Sequence, residues 1–208
     1  MGRPDGRGIG EGAVKPGIST RRFRVLDRFA RPDAPDLGAQ WTGGMWTGEP
    51  SPVIQNGRCV SGVALSSALW NASPLPGDQE LGVIWITGRV LLDMRVSGFG
   101  ATLNSYECSF DPNTNISIIN LVSGGTSIVN LATGSIGPTP PPNSIFSVSA
   151  VGNRIALKVN GVEILAATDP TWTSGSVGIE LVGTGTTIAG FGLIGTNERP
   201  SQSRMHQR

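Results

Sequence analysis

Apolar and polar residues alternate with a period of two along much of this chain. Between Gly152 and Leu181 the sequence reads GNRIALKVNGVEILAATDPTWTSGSVGIEL. Ile155, Leu157 and Val159 point one way and Ala156, Lys158 and Asn160 the other; Val162, Ile164 and Ala166 then alternate with Glu163, Leu165 and Ala167. Asn160-Gly161 between the two runs predicts a hairpin, because Asn and Gly accept the positive φ angles of a type I′ turn. Asp169-Pro170 and Ser174-Gly175 break the chain before a third run at Val177, Ile179 and Leu181. The alternation predicts burial of Ile155, Leu157, Val159, Val162, Ile164, Val177, Ile179 and Leu181 on one sheet face.

The same pattern predicts strands over 23–29, 52–55, 58–63, 66–70, 80–87, 89–97, 102–110, 115–122, 126–131, 145–151, 153–159, 162–167, 176–183 and 187–194. The runs 89–97 and 102–110 form a long hairpin around Gly98-Phe99-Gly100. GTGTTIAG at 183–190 has no lysine and no following helix, so it is a turn between two strands and not a phosphate loop. No stretch keeps a 3.6-residue apolar period for three turns, so no helix is expected. Many short strands at close spacing predict an all-β fold, a two-sheet antiparallel sandwich, with Trp41, Trp46 and Trp85 filling its core.

Composition agrees. Gly is 30 of 208 residues, Pro is 15 and charged residues are 15%, which suits short strands and tight turns. Residues 1–22 hold six Gly, two Pro and little apolar surface, so they cannot fold alone. They read as an extended or disordered arm, 23–195 as the domain and 196–208 as a polar tail. Within the arm, Arg3, Arg7, Ile9, Val14, Ile18, Arg21 and Arg22 suit docking on a neighbouring subunit. Net charge is +1, and the arginine cluster is diluted by Asp5, Glu11 and Asp27, so nucleic acid is not the expected partner. No apolar run reaches membrane-spanning length and no signal-peptide core is seen, so neither a membrane nor that export route is expected.

Candidate chemistry is sparse. The one histidine, His206, lies in the tail, which removes Ser-His-Asp and Cys-His catalysis and His-based metal sites. Glu80, Asp93, Glu107, Glu163 and Glu180 are isolated on predicted strands, although Asp93 and Glu107 can meet across the 89–97/102–110 hairpin. Cys59 and Cys108 read as buried free thiols or as a pair across the sandwich. Asp111-Pro-Asn-Thr-Asn115 reads as an Asx-turn or a Ca²⁺ loop of oxygen ligands. No cofactor is expected. Aromatic faces for sugar are offered by Trp70, Trp85, Tyr106 and Trp172.

Two segments carry a family resemblance. "G-N-x-hydrophobic … V-N-G-V … T-D … S-G-x-V-G-hydrophobic" near the end, and Asp27, Phe29, Arg31, Asp33, Leu37-Gly38 and Trp41 at the front, resemble concanavalin A-like lectin/glucanase jelly rolls of bacterial secreted proteins and bacteriophage structural proteins. The resemblance spans roughly 23–195. It implies a jelly roll whose concave sheet binds glycan, with Tyr106, Arg95, Trp70 and Trp172 as the candidate ligand-binding residues. The jelly-roll glucanases carry their carboxylates on one strand as E-x-D-x-x-E, which this chain lacks, so no enzyme is expected. Together with the arm, the resemblance implies a structural component of a bacteriophage virion, a minor tail or capsid-decorating protein assembled in the host cytoplasm. It would dock on other virion subunits and contact host surface polysaccharide. The alternative is the carbohydrate-binding module of a bacterial cell-surface protein.

Overall fold

The computed structural model describes residues 23–194 apart from 72–74 and 76. The predicted arm, with Arg3, Arg7, Ile9, Val14, Ile18, Arg21 and Arg22, and the tail lie outside these residues. The strands are β1 (Phe23–Asp27), β2 (Trp41–Gly43), β3 (Val53–Gln55), β4 (Arg58–Val60), β5 (Leu65–Trp70), β6 (Gln79–Ser97), β7 (Asn104–Asp111), β8 (Ile116–Ser123), β9 (Ser127–Ser135), β10 (Ile145–Val151), β11 (Arg154–Val159), β12 (Val162–Thr168) and β13 (Ser176–Ile194). All their pairings are antiparallel.

Two long strands, β6 and β13, build both sheets. They pair with each other and bend together halfway. The first half of β6 continues through β10 and β11 to β12, and the second half of β13 carries β1 and the β4–β3 pair. The second half of β6 continues through β7 and β8 to β9, and the first half of β13 through β5 to β2. At the bend the segment Gly183–Thr186 stands opposite the single residue Gly88. Gly88 has φ 82°, and a Cβ there would lie 2.0 Å from Thr186 Oγ1, so only glycine lets the strands cross the corner.

This corrects the sequence reading in two places. The predicted strands 80–87 and 89–97 are one strand. The predicted turn at 183–190 is a wide bulge inside β13, and its Gly183 and Gly185 amides donate to the Ala64 and Ser61 carbonyls at 2.7 and 2.8 Å. Positive φ at these glycines (91° and 85°) turns the strand from one sheet into the other instead of reversing it. The inward-facing positions of β6 accordingly switch from Leu81, Val83 and Trp85 to Val90, Leu92 and Met94.

The core lies between the sheets. Phe110 of β7 stacks on Phe146 of β10 with centroids 4.8 Å apart, and Trp41 of β2 meets Phe191 of β13 edge-on at 4.8 Å. The β11–β12 turn is as predicted, with φ 50° at Asn160 and 81° at Gly161. Ile155, Leu157, Val177, Ile179 and Leu181 are fully buried. Val159 and Ile164 are half-buried, and Val162 is 67% exposed. β12 is the outermost strand of its sheet, so its alternation runs on past the end of the core. Cys59 and Cys108 are buried free thiols, and burial pushes both well up.

The front motif is one hydrogen-bonded clamp. Asp27 Oδ1 accepts from the Phe29 amide and from Arg31 Nη1, both at 2.8 Å, and Oδ2 accepts from Trp41 Nε1 at 3.0 Å. Arg31 Nη2 donates to the Leu37 carbonyl at 2.6 Å, and Asp33 accepts from the Asn56 amide at 2.7 Å. Burial opposes the charge on Asp27, but these bonds outweigh it and hold the carboxyl below its ordinary value.

Candidate functional site

The outer face of the sheet built on β5, β7, β8 and β9 carries a row of polar side chains set by strand register. Asn130, Asn120, Glu107, Asp93 and Gly178 are successive cross-strand partners from β9 to β13. Glu180 stands beside this row, paired with Leu91 and Ser67. Asn130 Nδ2 donates to Asn120 Oδ1 at 3.3 Å, and Asn120 Nδ2 donates to Glu107 Oε1 at 3.1 Å. Ser105 Oγ donates to Asp93 Oδ1 at 3.2 Å.

The connection after β2 folds over this face. Gly178 makes room for it, since a Cβ there would lie 2.4 Å from Met45 Sδ. The Met45 amide donates to Ser67 Oγ at 2.8 Å, Ser67 Oγ donates to Glu49, and the Gly100 amide donates to the Met45 carbonyl at 2.8 Å. Trp46 is thereby held beside the polar row, and its Nε1 donates to Glu180 Oε1 at 2.7 Å.

A cleft of about 410 Å³ opens at this point. Leu65, Leu91, Val182 and Ile128 give it apolar surface; Glu49, Arg89, Glu107 and Glu180 give it hydrogen-bonding groups. Among the described lining residues Trp46 is the one aromatic and Arg89 the one cation. Arg89 Nε donates to Ser109 Oγ at 2.9 Å.

The carboxyls here are shifted toward the protonated form. Burial, then the neighbouring Glu107, pushes Asp93 well above the ordinary range; burial, then Asp93, does the same to Glu180. Burial also raises Glu107 against the help of Asn120 and Arg89, and raises Glu49 against its bond from Ser67. Among the described residues no three acidic, His or Cys side chains converge as a metal site. Asp111 instead accepts from the Asn113 amide at 3.1 Å, an Asx-turn.

The structure places the sequence-derived binding residues elsewhere. Tyr106 is fully buried; its hydroxyl donates to Asp169 Oδ1 at 2.7 Å and accepts from the Trp172 amide at 3.0 Å. Burial, with Asp169, pushes that hydroxyl up to about 12. Arg95 is 2% exposed and donates to the carbonyls of Gly77, Gly152 and Trp172. Trp172 packs against the core and donates to the Val122 carbonyl. Tyr106, Arg95 and Trp172 do come together, as a latch on the β12–β13 loop. Trp70 is apart from them, buried against Trp41 and Phe191. None of the four lines the cleft, because even-numbered β7 positions face the core and the bulged end of β6 turns Arg95 toward the loops. Trp46, expected in the core, is the aromatic that does line it. The signal that pointed to the site was the Asp93–Glu107 juxtaposition.

No protein-family model and no curated protein matches the sequence. Solved structures do match. The carbohydrate binding module CBM66 from Bacillus subtilis aligns with TM-score 0.53 and 17% identity, over 74% of this chain and 94% of that one. The carbohydrate recognition domain of Emp47p aligns with TM-score 0.55 and 12% identity, over 86% and 99%. The catalytic domain of an endo-1,3-beta-glucanase (laminarinase) from Thermotoga petrophila RKU-1 aligns with TM-score 0.53 and 10% identity, over 83% and 98%. These likenesses give no support to a bacteriophage setting; they show the fold, an all-β antiparallel jelly roll of the galectin and concanavalin A-like kind.

Proposed function

We propose that this protein is a carbohydrate-binding domain and that its ligand lies in the cleft walled by Trp46. One observation carries the reading: an indole, apolar surface and hydrogen-bonding side chains converge on one open cleft of a jelly-roll sheet. A sugar ring needs this pairing, an aromatic surface for its C–H face and polar groups for its hydroxyls. The fold shared with a carbohydrate binding module and a carbohydrate recognition domain supports it. The virion setting, with docking through the arm, is a narrower reading supported by the sequence resemblance alone. The module reading needs neither and is the one put forward.

A second reading, a glycan-cleaving enzyme, draws on the carboxyl row. Glycoside hydrolysis uses two carboxyl groups on one sugar, one of them protonated, and Glu107 and Glu180 both line the cleft with raised values. One experiment separates the two. Retardation in gels containing laminarin, levan, xylan or glycol chitin should be seen for the wild type and lost in Trp46→Ala with the circular dichroism spectrum unchanged. Release of new reducing ends in the same incubations would favour the enzyme. No retardation by any of the four polymers, or retardation indifferent to Trp46→Ala, refutes this site.

A further inference from the structure

We propose that Asp93 and Glu180 share a single proton, and that this proton fixes Trp46 and so couples ligand binding in the cleft to pH. The coupling rests on the carbohydrate reading of the cleft; the shared proton does not.

The geometry requires the proton. Asp93 and Glu180 are 1% and 2% exposed. Asp93 Oδ1 has the Ser105 hydroxyl, but among the described residues no N–H or hydroxyl donor reaches the buried Oδ2. Strand register puts Glu180 on the same face, diagonally next to Asp93, because Gly178 pairs with Asp93 and Glu180 with Leu91, and the Glu180 carboxyl is the neighbour able to bond to it. Two carboxylates have only acceptors, so a bond between them exists only when one carries a proton. An isolated acidic cluster can spread its charge into water; a buried oxygen without a donor cannot.

The surroundings offer no substitute. From β7, Glu107 stands directly opposite Asp93 and is occupied by Asn120. From the connection after β2, Glu49 adds a fourth carboxyl, bound to Ser67. Cys108, on the inner side of β7, is held as a neutral thiol by burial. Arg89 is the one cation among the described residues lining the cleft, and it donates to Ser109. Neither Asp93 nor Glu180 is in an ion pair among the described residues. Like charges directly opposite on a sheet repel, and burial removes the screening that would soften the repulsion.

Burial, then Glu107, shifts Asp93 up, against hydrogen bonds from Ser105 and Glu180 that favour its anion; burial, then Asp93, shifts Glu180 up. The proton is therefore retained at pH values where an ordinary carboxyl is ionised, and is lost as pH rises through the folded-state value. Once it leaves, two anions face each other. Glu180, which lines the cleft, is the one with a route to water. Its movement takes away the acceptor that holds Trp46 Nε1 at 2.7 Å, and the wall of the cleft loosens.

The test uses the full chain without ligand first. The indole N–H resonance of Trp46, assigned as the one missing from Trp46→Phe, is followed from about pH 5 to about pH 9, above the ordinary carboxylate range. A single-proton transition is expected in the wild type and none in Asp93→Asn, whose amide donates to Glu180 without titrating. Glu180→Gln serves in the same way if Asp93→Asn does not fold. A wild-type resonance that does not titrate, or that titrates identically in the variant, overturns the proposal. Wild-type affinity for the polymer retained in the gel assay should fall about tenfold per pH unit above the transition, the slope of a one-proton linkage. Affinity constant across the series overturns the coupling. A titrating resonance with no polymer bound leaves the proton in place and removes the carbohydrate reading.

Discussion

Replacing Arg95 with Met should destabilise the fold by about 3–5 kcal/mol. The side chain is 2% exposed, and among the described residues no carboxylate pairs with it. Nε and Nη2 both donate to the Gly77 carbonyl (3.1 and 2.9 Å), Nη1 to that of Trp172 (2.6 Å) and Nη2 to that of Gly152 (2.7 Å). The three acceptors belong to the segment before β6, the β12–β13 loop and the β10–β11 turn, so one guanidinium ties three connections together. Bonds from a charged donor contribute about 1.5–3 kcal/mol each, or roughly 6–12 kcal/mol gross for the four. Against this stand several kcal/mol of guanidinium desolvation and about 1–2 kcal/mol for a left-handed backbone, here at φ 54°. Met fills the volume of the stem and leaves three carbonyls without a donor. Lys puts its donors on one nitrogen and cannot reproduce the planar fork, so Arg95→Lys should recover only part of the loss. Urea melts are the assay: the midpoint should fall with the m value unchanged. A loss below about 1 kcal/mol for Arg95→Met refutes the reasoning, since it would mean that water satisfies the carbonyls equally well.

The other predictions come from the same structure. Asp27→Asn should cost about 1.5–3 kcal/mol at neutral pH. Because the folded Asp27 carboxyl lies below its ordinary value, its contribution is present above about pH 4 and is lost as pH falls through the folded value; wild-type and variant melting curves should converge in strong acid. Leu157→Ala should cost about 2–5 kcal/mol and Val162→Ala less than about 0.5 kcal/mol, and equal losses in denaturant melts would contradict the assigned burial. Cys59 and Cys108 should resist a thiol reagent in the native protein and react on unfolding; fast native labelling of either would show that its strand opens.

Much of the sandwich is legible in the sequence because period-2 alternation and turn chemistry act locally. The β11–β12 hairpin and the inward set Ile155, Leu157, Val177, Ile179 and Leu181 need no knowledge of distant partners. The bend shared by β6 and β13 does. Gly183 and Gly185 look the same to a local reading whether they reverse a strand or carry it around a corner, and only pairing with Gly88 decides between them. Val162 shows the converse limit, since alternation marks a face but not where its cover stops. The site depended most on distant contacts. Glu107 and Asp93 share a hairpin and could be paired from sequence, but Glu180 reaches them through the register of β13. Trp46 joins them because Gly178 leaves space for the loop that carries it. Aromatic residue type alone pointed instead to Tyr106, Trp70 and Trp172, which the core and its latch use.

Asp27 and Asp93 show why the cleft, and not the front motif, is where exchangeable chemistry sits. Both are nearly buried, at 7% and 1% exposure, so burial alone does not separate them. Asp27 is ringed by the Phe29 amide, two guanidinium nitrogens of Arg31 and the Trp41 indole. Those donors favour the anion and spend every lone pair on the fold itself. Asp93 has one hydroxyl donor and carboxyl neighbours, which favours the neutral acid and leaves an oxygen that only a proton can satisfy. Removing a donor at Asp27 weakens the fold, whereas removing the proton at Asp93 moves a neighbour that faces the cleft. The same side chain therefore serves as a permanent clamp or as a titrating hinge according to how many donors the surrounding strands present to it.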